Sequence, residues 1–476
     1  MMTRCLENLK KQEQYLLIAM AVNLPLMAIY TLFWREASIK VLIVHTAIVF
    51  AMQLYFLAKR YQSFFSPMLL FLVSFYIFQN GQLLLYALNI PFYDYYISLV
   101  DDNFLSVVMF SSYSNLIAGF AAMCIDLIPT KLPKFWRYPT HHHESNIKYN
   151  ALLGVLGTGF VAFVLIILKL VYVMMQGYTG VRLFEGSIPS IIILIEFFYF
   201  PFSLMVLIYE KRPTNIRKMV KYAAIAWSLL TAITGDRTTG IAGFLVISLL
   251  EFKVYQSPKA KWGNLRLVGV GVFLMIMTQV ALAIRTQVSL WSAFFGEHSI
   301  FIAFFSELGF SWFPLFAMMQ IVPHVEAYQF GSTYLSSLIG GFFPSSLDIL
   351  HLFDSVKANA LIFEKWYEQH FTQFDFGLGF SLNAEAYINF GSAGLVAIFV
   401  VVGIVAHFLG RKIHANSNPW KIYQVLVLLY FWFTLPRRSS YYIWNAIFYS
   451  VIMMRIYVQH INIKKIIALG VQKWRK

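Results

Sequence analysis

Apolar residues in this chain come in blocks close to the length of a membrane crossing, and polar residues gather in the short breaks between them. Stretches such as 15–33, 68–90, 151–175, 188–209 and 268–284 each approach or exceed the ~20 apolar residues that a helical span requires. The pattern predicts helices near 15–33, 39–57, 67–90, 104–127, 150–175, 188–209, 219–235, 238–254, 267–285, 384–408, 421–435 and 441–458. Between the ninth and tenth of these lies a region of 286–383, with two further apolar stretches at 300–322 and 335–352. Either they are re-entrant or interfacial, giving about twelve spans, or they form an extra hairpin, giving fourteen. Phe313-Pro314, Gly340-Gly341 and Pro344 favour broken helices there.

Basic residues fix the expected orientation. Arg4, Lys10 and Lys11, Lys59-Arg60, and the basic stretches 131–148, 211–221, 259–266 and 411–412 fall on alternate loops, and the C-terminal lysines join them. Short cytoplasmic loops carry such an excess, so both termini are expected inside and the 286–383 region outside. No cleavage pattern precedes the first span, which is therefore expected to stay as an anchor.

Composition agrees with lipid as the solvent. Of 476 residues 59% are hydrophobic and 12% charged, and the mean hydropathy is +0.65. The fold class expected is an all-α, polytopic transmembrane helical bundle, with 1–476 as a single membrane domain and no repeat or linker dividing it. The net charge of +15 sits mainly in the inner loops, which fits anionic lipid and not nucleic acid. Cys5 and Cys124 offer neither a disulfide framework nor a zinc spacing. The run His141, His142, His143, Glu144 lies on the expected cytoplasmic side and reads as a polar linker. A phosphate-binding loop, a dinucleotide fingerprint and a metalloprotease helix are all missing from the sequence.

If positive charge belongs inside, the arginines that fall on the outer side need a reason: Arg35, Arg182, Arg237, Arg285, Arg437 and Arg438. Gly235, Asp236, Arg237, Thr238, Thr239 and Gly240 join two spans with almost no loop, which holds Arg237 at the membrane boundary. Arg285 closes the next outward span, Arg437 and Arg438 precede the last one, and Arg182 lies in a short outer loop. A guanidinium presents a planar fork of donors matched to phosphate oxygens and stays charged at every relevant pH. Several on one face therefore point to a polyanionic ligand such as a lipid-linked pyrophosphate, and the helix opening at Thr238 adds free amides to the same place. The plainer alternative is that they reach to headgroups or pair with Asp236, Glu185 or Glu297.

For a base that deprotonates a sugar hydroxyl the candidates are His298, Glu307, His351, Glu364, Glu368, His370 and Glu385. Glu385 stands at the mouth of a span, where a carboxylate also suits a helix N-terminus. Aromatic residues crowd the outer regions, among them Tyr93, Tyr178, Trp312, Tyr328, Trp366, Tyr387, Tyr442 and Trp444. Sugars stack on such rings, and an ordinary interfacial belt explains most of them as well.

These residues resemble a known family. The Gly235-Asp236-Arg237 turn, Arg285 after the following span, the large late outer loop, and the run from Glu385 through Gly391 and Gly394 to Leu395 look like the oligosaccharide repeat-unit polymerases of O-antigen and capsule synthesis, the Wzy group, whose architecture is similar to that of the O-antigen ligases. The resemblance implies a metal-independent, cofactor-free glycosyltransferase of GT-C type in the bacterial inner membrane, acting on its outer face. It implies donor and acceptor oligosaccharides linked to undecaprenyl pyrophosphate, with inversion at the anomeric carbon. Besides membrane lipid, a protein that regulates chain length is an expected partner. Arg237 and Arg285 would hold the pyrophosphate and Glu385 or His370 would be the base. Arg182, Asp236, Arg437, Arg438 and Tyr387 would bind substrate. Phe380-Ser381 stands where the ligases carry His-Asn, which favours a polymerase over a ligase. A flippase for lipid-linked oligosaccharide is a further alternative, against which the asymmetry created by the 286–383 region counts. A scaffold subunit is another.

Overall fold

The computed structural model describes residues 37–91, 103–124, 144–255, 262–286, 289, 291, 300–343, 352–371 and 379–460. The first expected span at 15–33, Arg35, Tyr93, His141 to His143, Glu297, His298 and His351 lie outside them.

Within the described residues every regular element is helical. That is what lipid demands, because a helix satisfies its own backbone where no water can. The elements run α1 (Ala37–Tyr61), α2 (Pro67–Ala87), α3 (Phe104–Cys124), α4 (Glu144–Ser187), α5 (Ser190–Tyr209), α6 (Asn215–Ile233), α7 (Arg237–Leu249, extended by a π turn at Leu250–Val254) and α8 (Trp262–Thr286). After these come α9 (Ile300–Leu308) and α10 (Phe313–Ile321), joined by a 3-10 turn at Gly309–Trp312, then α11 (Ser332–Phe342), α12 (Asp354–Ala360) and α13 (Ile362–His370). The chain ends in α14 (Leu382–Phe390), α15 (Gly394–Leu409), α16 (Pro419–Trp432), α17 (Tyr441–Asn445), a π stretch at Ala446–Met453, and α18 (Met454–His460).

Helix starts follow local chemistry. Ser66 accepts from the Leu69 amide ahead of Pro67, Thr214 from that of Arg217, and Asn418 from that of Trp420 ahead of Pro419. Among the described residues, eight helical stretches are long and apolar enough to cross a membrane, and the molecule is a helical membrane protein. Large apolar side chains such as Phe160, Ile167 and Met174 on α4, Val268 and Val272 on α8, and Val396 and Val400 on α15 remain exposed, making the surface that lipid covers.

The two stretches inside the 286–383 region turn out unlike each other. The first, Ile300–Ile321, is continuous enough to count as a candidate span, broken by the 3-10 turn before Phe313 and Pro314. It is packed into the bundle, with Trp312, Phe313, Leu315, Ala317 and Met318 almost fully buried. Of the second, the described residues form the 11-residue α11, about half of a crossing, and 344–351 lie outside the description.

Lipid gives no hydrophobic drive between helices, so close contact rests on small residues. Gly81 of α2 and Gly309 meet backbone to backbone: a Cβ on Gly81 would lie 2.8 Å from the Phe305 carbonyl and 2.9 Å from the Gly309 Cα. The α6–α7 hairpin closes through Thr234, Gly235 and Asp236, with Gly235 at φ +124°. Gly240 then fits where a Cβ would strike the Ser228 carbonyl at 2.4 Å.

Candidate functional site

Asp236 and Arg237, adjacent in sequence at the tip of the α6–α7 hairpin, reach in two directions. Asp236 caps α7, its carboxylate accepting from the Thr239 amide and the Thr238 hydroxyl, each at 3.2 Å. Its other oxygen lies 3.8 Å from the Arg438 guanidinium, which also sits 4.6 Å over the ring of Tyr442. Arg237 opens the helix, is 7% exposed, and donates from Nη2 to the Glu307 carboxylate of α9 at 2.9 Å. Its Nη1 is buried with no partner among the described residues. A guanidinium with a donor left over, beside the free amides of a helix start, makes a site that favours an anion.

Helix α2 frames this cluster from one face. Gln79 donates to the Pro436 carbonyl at 2.6 Å, directly before Arg437 and Arg438, and accepts from Ser381 at 3.3 Å. Gln82, one turn on, donates to the Ser306 carbonyl at 2.7 Å, directly before Glu307, and accepts from the Trp312 indole at 2.8 Å. Two glutamines on one stripe of α2 thus hold both segments that face the hairpin tip, and the Gly81–Gly309 contact lets α9 come close enough. Gly379, at φ +69°, leaves room for Arg437: a Cβ there would lie 3.4 Å from its Nε.

The other residues singled out from sequence are placed as follows. Arg285 lies in the last turn of α8, which packs against α9, the carrier of Glu307. Arg182 lies in the outer turns of α4, beyond a break at Gly177 (φ +63°). The side chains of these two arginines fall outside the description. Glu185 pairs with Lys169 at 3.1 Å. The His370 ring is 3.7 Å from Glu326. Tyr387 donates to the Val322 carbonyl at 3.4 Å and packs edge-on against Phe110, so its hydroxyl has a partner within the fold.

Glu385 lies in the first turn of α14, at the helix mouth where its sequence position puts it, and it is buried there. It is 0% exposed, accepting from the Ser440 amide at 2.6 Å, the Ser440 hydroxyl at 2.7 Å and the Thr333 hydroxyl at 3.4 Å.

Sequence reasoning passed over two charges inside helical spans, Lys169 of α4 and Glu196 of α5, which pair at 3.3 Å. Glu196 lies within electrostatic reach of Asp236, so this pair adjoins the arginine cluster. An ionisable residue inside an apolar block is the signal that could have found them.

Among family models, that of the O-antigen polysaccharide polymerase Wzy matches residues 15–465, nearly the whole chain. The chain belongs to this family. No curated protein and no solved structure matches it. As a Wzy polymerase it joins O-antigen repeat units, acting as a glycosyltransferase-type enzyme on lipid-linked oligosaccharides in the inner membrane. The ligase, flippase and scaffold readings have no such support. Among the described residues, the Asp236–Arg237–Arg438–Glu307 group brings two arginines and two carboxylates from separate elements together.

Proposed function

We propose that this polymerase is a GT-C type, inverting transferase of about twelve spans, or fourteen where 286–383 adds a hairpin, with both termini in the cytoplasm and its site on the outer face. Its donor is a growing glycan on undecaprenyl pyrophosphate. Its acceptor is a hydroxyl of another lipid-linked repeat unit.

In this reading the donor pyrophosphate docks on Arg237 and Arg438, with Arg285 and Arg437 completing the positive rim and Arg182 meeting more distal parts of the lipid or sugar. The acceptor oxygen attacks the anomeric carbon and forms the new glycosidic bond. The bond from that carbon to the pyrophosphate oxygen breaks, and undecaprenyl pyrophosphate leaves with the electron pair. Guanidinium groups already in place stabilise charge that grows on the leaving oxygen, the same task a divalent metal performs elsewhere. The acceptor proton goes to Glu307. That carboxylate is 27% exposed at its side chain and held by Arg237 at 2.9 Å. When phosphate takes over Arg237, Glu307 is released beside the reacting centre as a base. His370, paired with Glu326, is the second candidate for that proton.

The observation that carries this reading is Arg237: buried, helix-opening, and with one nitrogen unpartnered. The test is polymerisation by purified enzyme in proteoliposomes with lipid-linked repeat units and a chelator present. Wild type is expected to give a ladder of products with inverted linkage, and Arg237→Ala none. A ladder from Arg237→Ala equal to that of wild type overturns the reading.

A further inference from the structure

Arg437 and Arg438 occupy a two-residue stretch whose backbone is pinned on each side by a buried side chain from a different helix. Upstream, Gln79 of α2 holds the Pro436 carbonyl at 2.6 Å. Downstream, Glu385 of α14 holds the Ser440 amide at 2.6 Å and the Ser440 hydroxyl at 2.7 Å. The first residue after the arginines, Ser439, is 0% exposed, and so is Glu385.

The downstream anchor is itself braced. Asn389, one turn along α14, donates to the Thr333 hydroxyl and to the Glu385 carbonyl, each at 2.7 Å, and accepts from the Gly331 amide at 2.9 Å. Thr333 in turn donates to Glu385 at 3.4 Å. This knot ties the start of α11, the whole of α14 and the Ser440 segment together, and α11 also packs closely on α17, where a Cβ on Gly341 would meet the Trp444 Cβ at 2.6 Å. A carboxylate that already accepts three hydrogen bonds and has no exposure offers an acceptor hydroxyl no open face.

We infer that Glu385 is a positioning residue: it fixes the register of the Arg437–Arg438 stretch so that Arg438 meets the donor phosphate, and it takes no proton in the reaction. This deepens the function proposed above and rests on its assignment of Arg438 to the phosphate. A buried anchor of this kind acts through pre-organisation. Losing it leaves the arginine present but spread over many rotamers, which weakens ground-state and transition-state binding alike.

Steady-state kinetics of Glu385→Gln and Glu385→Ala over a range of pH tests the inference. Glutamine keeps the shape, can accept from the Ser440 amide, and can donate to the Ser440 and Thr333 hydroxyls. It is expected to retain kcat within about threefold, whereas alanine raises the donor KM about tenfold or more, the scale of one lost hydrogen bond to a charged group. Both variants are expected to keep the limbs of the wild-type pH profile. Ser440→Ala, which removes one donor and leaves the amide, is expected to raise KM by less than Glu385→Ala does, and it reports even if the latter fails to fold. Glu385→Gln as inactive as alanine, with the acidic limb gone, makes Glu385 the base and overturns the inference. A lowered melting temperature with unchanged donor KM in both Glu385→Ala and Ser440→Ala also overturns it. Arg438→Ala separates the two levels: if it leaves donor KM unchanged, the phosphate clamp itself is wrong. If it raises KM while the Glu385 and Ser440 variants do not, only the positioning role fails.

Discussion

The α6–α7 hairpin carries a buried arginine–glutamate pair at each of its ends, and the two are not equivalent. At the open end Arg217 pairs with Glu251 of the same hairpin, and the Arg217 guanidinium lies 5.5 Å from the centre of the Tyr255 ring. Tyr255 in turn donates to the Ile208 carbonyl at 3.0 Å. One cation meets one anion there, and Arg217 too keeps a buried nitrogen, Nε, with no partner among the described residues. At the tip Arg237, just as buried, reaches 70 residues along the chain to Glu307. Beside it lies Asp236 paired with Arg438, so that two arginine–carboxylate pairs from separate elements meet at one hairpin tip. Burial and pairing alone do not mark a functional arginine. Charged pairs gathered from several separate elements at one hairpin tip do, because that is an arrangement that folding alone does not require.

Substitutions at the two ends can break or sharpen this contrast. Arg237→Ala is expected to lower kcat/KM for polymerisation by about 10²–10³-fold, the scale of losing one group that stabilises a leaving oxyanion. Product ladders from matched amounts of folded enzyme measure it. Glu307→Gln is expected to leave donor affinity equal to wild type or tighter, since Arg237 no longer has a competing carboxylate, while kcat falls about 10²-fold. A substrate-saturation curve separates those two effects. Arg217→Ala should spare turnover per folded molecule within about twofold yet destabilise on the order of 3 kcal/mol, because Glu251 is left without its partner. Thermal unfolding in detergent reads that out. Were Arg217→Ala to abolish turnover with the fold intact, the distinction between the two ends would be lost. Gly309→Ala is expected to have the smallest effect, about 1–3 kcal/mol in the same assay, as its Cβ would press on the Gln82 amide at 2.4 Å.

Much of the fold could be read from hydropathy. Each expected span within the described residues has a helix, down to the tight turn at Gly235 and the cap at Asp236. The 300–322 stretch stayed ambiguous because a helix broken before Phe313-Pro314 and packed inside the bundle has the same apolar count as an interfacial one. In the site, Asp236, Arg237 and Arg438 were legible because arginine on the outer side violates the usual charge bias. Asp236 was also legible as an arginine's partner, as it is for Arg438, but the longer-range partners were not. Glu307 lies 70 residues from Arg237, and Gln79 lies 357 from Pro436. Nothing local to either sequence names such a contact. Glu385 stands in the first turn of its helix as its sequence position implies, but one residue at a helix mouth looks the same whether it caps the helix, faces water or anchors a distant loop, and only the tertiary position of Ser440 decides.

The measurement that bears most directly on the arginine cluster is the affinity of undecaprenyl pyrophosphate for the purified protein in nanodiscs, wild type against Arg237→Ala and Arg217→Ala. Arg237→Ala is expected to bind at least about tenfold more weakly, with steeper loss in the Arg237→Ala, Arg438→Ala double variant, and Arg217→Ala is expected to match wild type. Equal affinity in all of them would contradict a phosphate site at the tip of the hairpin.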